Sequence, residues 1–255
     1  MSVFIDIYDF YSEFSGKKGV IGHSAFGMPI FYMAVEKTKT PKIIFQYSIH
    51  AREYITSYLA LEQVKDFMAR GKKGTAYFIP CVNPDGVDIA EKDCRLYKAN
   101  GRGVDLNVNF PADWGQGEKN TRQKGDENFI GENPFSEPET RALGDFTLSV
   151  APDMTVSYHS KGEEIYYEFH QKGANKIRDK KIAKKVANLT GYQIKNTPNS
   201  CGGYKDWCIE SLKIPAITIE VGADRLSHPI EKEQLNDIFK KNKEVVITLM
   251  NEVKI

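Results

Sequence analysis

The sequence lacks an excess of charge of either sign. Its 255 residues include 35 Lys and Arg against 34 Asp and Glu, so the formal net charge is only +1. A chain with this balance has no whole-molecule attraction to nucleic acid or to an anionic membrane, although the net charge does not exclude local positively charged patches. We therefore expect neither nucleic acid nor a membrane as a partner.

Long apolar runs are also missing. No stretch approaches the roughly 20 apolar residues that a membrane-spanning helix needs. The first ten residues carry Asp6 and Asp9 where a secretion signal would carry basic side chains, and they contain no long apolar core. If Met1 is the native start, we expect a cytoplasmic protein.

Cysteine is scarce. The four cysteines, Cys81, Cys94, Cys201 and Cys208, form no Cys-x-x-Cys pair, so four free thiols are the default expectation in a reducing compartment. Cys201 and Cys208 lie close in sequence, which leaves a disulfide between them, or a thiol near a ligand cavity, as an alternative. Neither lies in the sequence context of a catalytic cysteine.

Strand and helix signals alternate along the chain, which predicts a layered α/β fold. We find no internal repeat and no linker, so we expect one domain over residues 1–255. Strands are predicted at 43–49, 75–82, 154–158 and 216–219, and helices at 52–68, from Ser136 onward, at 174–190 and at 231–253. Ser136 and Glu139 have the spacing of a capping box. Residues 88–133 show few such signals, and we interpret them as substrate-binding loops.

His50 and Glu53 follow the first of these strands. An imidazole and a carboxylate three residues apart at a strand end can face one point, so together they form a candidate zinc-binding pair. The pair alone is weak evidence in a chain with five histidines. A solvated helix start, with Glu53 complementing the helix dipole, explains it equally well.

Two further strand ends carry the groups that such a site requires. His159 ends the strand at 154–158, and Glu220 follows the strand at 216–219 in an otherwise apolar stretch. Burying a carboxylate is costly unless it has a partner or a chemical role. A buried ion pair is the alternative for Glu220, but its occurrence beside two histidines and Glu53 favours catalysis.

In this order the residues resemble the zinc carboxypeptidases of the carboxypeptidase A type. The matching blocks are His50 with Glu53, residues 83–86, residues 103–107, residues 134–140, His159, Gly203 with Tyr204, and Glu220. Residues 157–163 and 202–207 are similar to the bacterial γ-D-glutamyl-diamino acid peptidases of that family, which cut peptidoglycan stem peptides. The resemblance implies a single α/β/α domain, with a twisted, mostly parallel mixed sheet between helices and the site at the carboxyl ends of central strands.

The resemblance also implies roles for individual residues. It assigns one Zn²⁺ to His50, Glu53 and His159, and it makes Glu220 the general base and acid. A fixed cation would stabilise the developing negative charge, with Lys98 at the matching position and Arg102 in reserve; ordinary loop charge is the alternative for both. Asn107 and Tyr204 match substrate-binding positions, Tyr204 being similar to the family tyrosine that covers the substrate. A partly buried ring is the alternative for Tyr204.

One residue departs from the family pattern. Classical carboxypeptidases have an arginine after Asn107 that binds the substrate's terminal carboxylate, whereas this chain has Val108. A relocated anchor is one explanation, with Arg122, Arg141 or Arg225 as candidates; cleavage of an interior bond is the other.

The favoured prediction is therefore hydrolysis of a peptide substrate, a peptidoglycan stem peptide, at a γ-D-glutamyl–diamino acid bond. An ordinary zinc carboxypeptidase, an aspartoacylase-type amidohydrolase and a catalytically inactive peptide-binding protein are the alternatives. The oligomeric state is left open.

Overall fold

The computed structural model describes residues 2–253. Their fold is built around one eight-stranded sheet. The strands are β1 Lys17–His23, β2 Pro29–Glu36, β3 Lys42–Tyr47, β4 Thr75–Ile79, β5 Met154–Ser160, β6 Glu164–Tyr166, β7 Gln193–Ile194 and β8 Ala216–Val221. Their spatial order is β1-β2-β4-β3-β5-β8-β6-β7. The four central strands β4, β3, β5 and β8 run parallel to one another, and antiparallel pairs lie toward both edges.

Helices cover both faces of the sheet. They are α1 Val3–Glu13, α2 Ile55–Arg70, α3 Pro84–Lys92, α4 Pro138–Val150, α5 Gly173–Thr190, α6 Tyr204–Glu210, α7 Leu235–Asn242 and α8 Val245–Glu252. Residues of α1, α2, α5, α7 and α8 pack into one apolar core, and residues of α4 and α6 pack into a second. The predicted α/β fold, a mostly parallel sheet with helices on both sides, is confirmed.

The sequence of strand β3 is almost continuously apolar, and the packing of the strand explains why. Ile43 and Phe45 enter the first core, while Ile44 between them enters the second. A central parallel strand is covered by helices on both faces, so successive side chains, which point in opposite directions, are all buried. The sheet therefore holds the carboxyl end of β3 in a fixed place.

The predicted helix at 231–253 is interrupted. Helix α7 ends at Asn242 and α8 begins at Val245. The side chain of Asn242 is buried and donates hydrogen bonds to Tyr192 and Ile238, while its carbonyl accepts from Gln63 Nε2 at 3.3 Å. The amide of Gln63 thus occupies a carbonyl that a continuous helix would use internally.

The predicted capping box at Ser136 is wrong. Helix α4 begins at Pro138, and the hydroxyl of Ser136 donates to the carboxylate of Glu137. Glu139 does not reach back to the helix start, because its carboxylate accepts from the backbone of Ala25 and from Asn100. Partners distant in sequence outcompete the local motif.

The cysteines and the membrane prediction can also be compared with the structure. All four cysteines are free thiols, as expected, and Cys201 and Cys208 are not paired. Among residues 2–253, no helix combines the length and the apolar character needed to cross a bilayer.

Candidate active site and metal centre

The site lies where the parallel strands β3, β5 and β8 end. His50 follows the end of β3 by three residues, His159 is the second-to-last residue of β5, and Glu220 is the second-to-last residue of β8. The register pairs His159 directly with Glu220 on the neighbouring strand. Residues so paired project to the same face of a sheet, so the imidazole and the carboxylate lie side by side.

A dense set of buried hydrogen bonds fixes the turn that carries His50. The backbone N–H of Ser48 donates to Thr56 Oγ1 at 2.9 Å, and Asn83 Nδ2 donates to the carbonyl of Ile49 at 3.1 Å. The N–H of Ala51 donates to the carbonyl of Lys98 at 2.9 Å, which ties the turn to the long loop after α3. The His50 ring is therefore positioned by backbone contacts as well as by its own partners.

Three side chains converge on one point. Nδ1 of His50 lies 2.9 Å from Glu53 Oε1, Nδ1 of His159 lies 2.9 Å from Glu53 Oε2, and the two Nδ1 atoms are 3.2 Å apart. Ligands of a tetrahedral zinc ion with bonds of about 2.0–2.1 Å lie about 3.3 Å from one another. The spacing and the His-Glu-His donor set therefore fit a zinc ion, and this is the one such cluster among the described residues.

A fourth residue, Asp105, supports this cluster from behind. Nε2 of His50 lies 3.1 Å from Asp105 Oδ1, so the ring can donate there while its Nδ1 faces the other ligands. The second oxygen of Asp105 lies 2.7 Å from Nζ of Lys98. Asp105 is almost completely buried, and its charge is balanced by these two groups.

The electrostatics of the cluster reflect its close packing. Burial alone would lower the pKa of His50, but the carboxylates of Glu53 and Asp105 outweigh it and raise that pKa to about 9. Burial would raise the pKa of Asp105, whereas Lys98 and His50 hold it far below its usual range. A proton on His50 and a cation at Nδ1 therefore compete for the same position.

The surroundings of Glu220 act on its pKa in the opposite direction to those of Asp105. Burial raises the pKa of its carboxyl group well above the usual range, and the neighbouring Glu53 raises it further. One of its oxygens, Oε2, is buried without a hydrogen-bond partner among the described residues. Without a cation in the cluster the carboxyl group therefore favours its protonated form, and a cation bound beside it would favour the carboxylate instead.

Glu220 opens onto a cavity of about 690 Å³. His50, Lys98, Asn107 and Val108 line the same cavity, so the structure brings these predicted site residues together. The pKa of Lys98 is raised because Asp105 outweighs the effect of burial, which keeps the ammonium charged.

Two predicted site residues lie elsewhere. Arg102 is about half exposed, its guanidinium lies 3.9 Å from Glu137, and it borders a separate depression, so it does not face the site. The ring of Tyr204 is fully buried in the second core, and its hydroxyl lies 2.7 Å from Thr147 Oγ1. In this structure Tyr204 cannot cover a substrate; its backbone N–H instead donates to Asn107.

The three arginines considered as relocated anchors do not line the cavity either. The guanidinium of Arg122 lies 4.6 Å from the centre of the Trp114 ring, and Arg141 donates to the backbone carbonyls of Phe135 and Ser136. Arg225 is exposed beyond β8. The basic residues that do line the cavity are Arg52, Lys98, Lys119 and Lys205.

Sequence reasoning missed several residues of the site. Asp105 was part of a matched block, and its place two residues before Asn107 was the available signal. Lys205 and Asp206 also lay in a matched block, but nothing local distinguishes a cavity-lining Lys-Asp pair from surface charges. Tyr166 and Thr218 face the cavity from β6 and β8, and no motif marks them.

Comparison with known proteins agrees with this geometry. A family model described as zinc carboxypeptidase matches residues 11–245. The chain is 26% identical over 257 residues to γ-D-glutamyl-L-diamino acid endopeptidase 1 of Lysinibacillus sphaericus, covering 87% of this chain and 64% of that protein. It is 29% identical over 209 residues to murein peptide amidase A of Escherichia coli K12, covering 78% of each.

Among solved structures, bovine thrombin-activatable fibrinolysis inhibitor in complex with tick carboxypeptidase inhibitor superposes with a TM-score of 0.87. The match covers 99% of this chain and 97% of that one at 21% identity, which establishes the fold alone. Because the family model spans most of the sequence, the chain belongs to the zinc carboxypeptidase family of metallopeptidases. Its cofactor is zinc, which the cluster of His50, Glu53 and His159 fits.

Proposed function

We propose that this protein is a zinc-dependent peptidase that hydrolyses bacterial cell-wall stem peptides at a γ-D-glutamyl–diamino acid bond. The observation that carries the proposal is the convergence of His50, Glu53 and His159 on one point, where His159 pairs with Glu220 and where His50 and Glu220 line one cavity. The likeness to an endopeptidase for γ-D-glutamyl-L-diamino acids and to a murein peptide amidase supports the choice of substrate.

His50, Glu53 and His159 would hold the zinc ion, and Asp105 would orient His50. When bound there, zinc polarises a carbonyl and lowers the pKa of water, which is the chemistry that peptide hydrolysis requires. Glu220 would accept the proton of the attacking water and deliver it to the leaving amine. Lys98, charged and held by Asp105, would stabilise negative charge developing on the carbonyl oxygen.

The cavity has no cation at the position where classical carboxypeptidases bind the terminal carboxylate. Val108 lines it where the family anchor would be, and a valine side chain cannot bind a carboxylate. None of the three candidate replacement arginines borders the cavity. A substrate that is recognised through other groups, as a γ-linked stem peptide would be, fits this lining better.

The test is a digest of a defined stem peptide, L-Ala-γ-D-Glu linked to meso-diaminopimelate, by the zinc-reconstituted protein, with products identified by mass spectrometry. We expect cleavage between D-Glu and the diamino acid. Glu220→Gln is the matched control, because the amide keeps the shape but cannot accept a proton; it should bind zinc normally and lose roughly 10²–10⁴-fold in kcat. A Glu220→Gln protein within threefold of wild type would assign the base to another group.

A further inference from the structure

A buried ion pair lies in the wall of the main cavity, at the start of helix α6. Lys205 and Asp206 both line the cavity, and their residues are only 7% and 4% exposed. The ammonium of Lys205 contacts the carboxylate of Asp206 and donates to the carbonyl of Glu168 at 2.9 Å. The second oxygen of Asp206 accepts from the backbone N–H of Gly203 at 3.1 Å.

This pair differs from the other basic groups of the cavity. Arg52 is bound to Glu127, Lys98 is bound to Asp105 beside the metal cluster, and Lys119 is an exposed loop residue. Lys205 is buried and is held by two hydrogen-bonding partners, and its Nζ lies 5.6 Å from the centre of the Phe169 ring. Its position is therefore set before any ligand arrives, which lowers the entropic cost of using it for recognition.

Both charged groups keep unused hydrogen-bonding capacity. An ammonium has three protons, and the two protein partners of Lys205 use two of them. Among the described residues each oxygen of Asp206 has one hydrogen-bond partner, while a carboxylate oxygen can accept two hydrogen bonds. The cavity wall therefore offers one N–H donor of a positively charged ammonium beside the acceptor oxygens of a negatively charged carboxylate.

We propose that Lys205 and Asp206 select a substrate residue whose side chain ends in a zwitterion, a carboxylate next to an ammonium, as in an α,ω-diamino dicarboxylic acid. The carboxylate would bind the free proton of Lys205, and the ammonium would bind Asp206. A lysine side chain, which ends in an ammonium alone, would offer nothing to Lys205 and would be repelled by it. This inference rests on the proposed function and names the diamino acid class that the site takes.

The test measures binding, so that it does not depend on turnover. In the Glu220→Gln background, calorimetry compares two uncleaved peptides, L-Ala-γ-D-Glu-meso-diaminopimelate and L-Ala-γ-D-Glu-L-lysine. We expect the first to bind about 10- to 100-fold more tightly, the range for a charge-assisted hydrogen bond. Adding Lys205→Met should reduce the preference to within threefold. Lys205→Arg should keep it, and so should Lys181→Met, which removes the same charge from an exposed position of α5 that does not line the cavity.

A preference that survives Lys205→Met would overturn the proposal. If that variant does not fold, the Glu220→Gln protein alone decides, because a preference below threefold contradicts a zwitterion-selective pair. Cleavage of both peptides by wild type without any binding preference would leave the proposed function standing and remove this inference. Selective binding of the diaminopimelate peptide, with no cleavage of it by wild type, would remove the proposed function and leave the selectivity of Lys205 and Asp206 standing.

Discussion

Asp105 offers the most informative single perturbation. Its carboxylate accepts from Nε2 of His50 at 3.1 Å and from the backbone N–H of Asn107 at 2.9 Å, and it lies 2.7 Å from Nζ of Lys98. Asp105→Asn keeps the size and one acceptor oxygen but removes the charge. The consequences for stability and for metal binding then have separate causes.

The stability effect comes from Lys98. Its side chain is only 16% exposed, so losing the closest counter-ion leaves a mostly buried charge that keeps only Asn128 Oδ1 at 2.6 Å and Glu127 Oε1 at 4.0 Å among the described residues. Breaking a buried pair in this way typically costs about 3–5 kcal/mol, and partial exposure of Lys98 places the expected loss near the lower limit, about 3 kcal/mol. The metal effect comes from His50, since removing an orienting carboxylate typically weakens metal affinity about 10- to 100-fold.

The assay combines denaturant unfolding with zinc competition titrations. The matched control is the double variant Asp105→Asn with Lys98→Met, which also removes the orphaned charge. We expect it to regain most of the lost stability but none of the zinc affinity. Wild-type stability and zinc affinity in Asp105→Asn would refute the reasoning, as would recovery of zinc affinity in the double variant.

Three further predictions follow from the site. His159→Ala should lower bound zinc from one per chain to well below stoichiometric, measured by elemental analysis, because one ligand of three is removed; full occupancy would contradict the ligand set. Val108→Arg should raise kcat/KM toward a hippuryl substrate, up to about tenfold if the arginine pairs with the terminal carboxylate, and an unchanged value would show that the position does not face it. In the zinc-free protein, the raised pKa of His50, about 9 against 6.5 unfolded, stabilises the fold below about pH 6.5, and this contribution is lost as the pH rises through about 9. Unfolding free energies measured from pH 6 to pH 10 should therefore fall in wild type but not in His50→Gln, and equal slopes would refute the assignment.

The sequence predicted the parts of the molecule that local patterns determine. The central strands are apolar because both faces are covered, and their ends carry His50, His159 and Glu220, so the metal ligands and the neighbouring catalytic carboxylate were predictable from three strand ends. Helix α2 was predictable from its apolar spacing and from Gly71, which follows its last residue.

Other features depend on contacts between distant residues and were not predictable. The break between α7 and α8 depends on Gln63, which lies far away in the chain and binds the carbonyl of Asn242. The burial of Tyr204 depends on Thr147 and the second core. Arg102 and Lys98 are similar loop cations in the sequence, and only the fold shows that Lys98 faces Asp105 while Arg102 faces solvent.

The most direct test of the central claim is the ratio of two kcat/KM values for the zinc-loaded wild-type protein. One substrate carries a γ-D-glutamyl bond to a diamino acid, and the other is a hippuryl carboxypeptidase substrate. The structure, with Val108 in place of an anchoring arginine, predicts efficient cleavage of the first and little or none of the second. Efficient hippuryl cleavage with no cleavage of the γ-D-glutamyl peptide would contradict the account and indicate an ordinary carboxypeptidase.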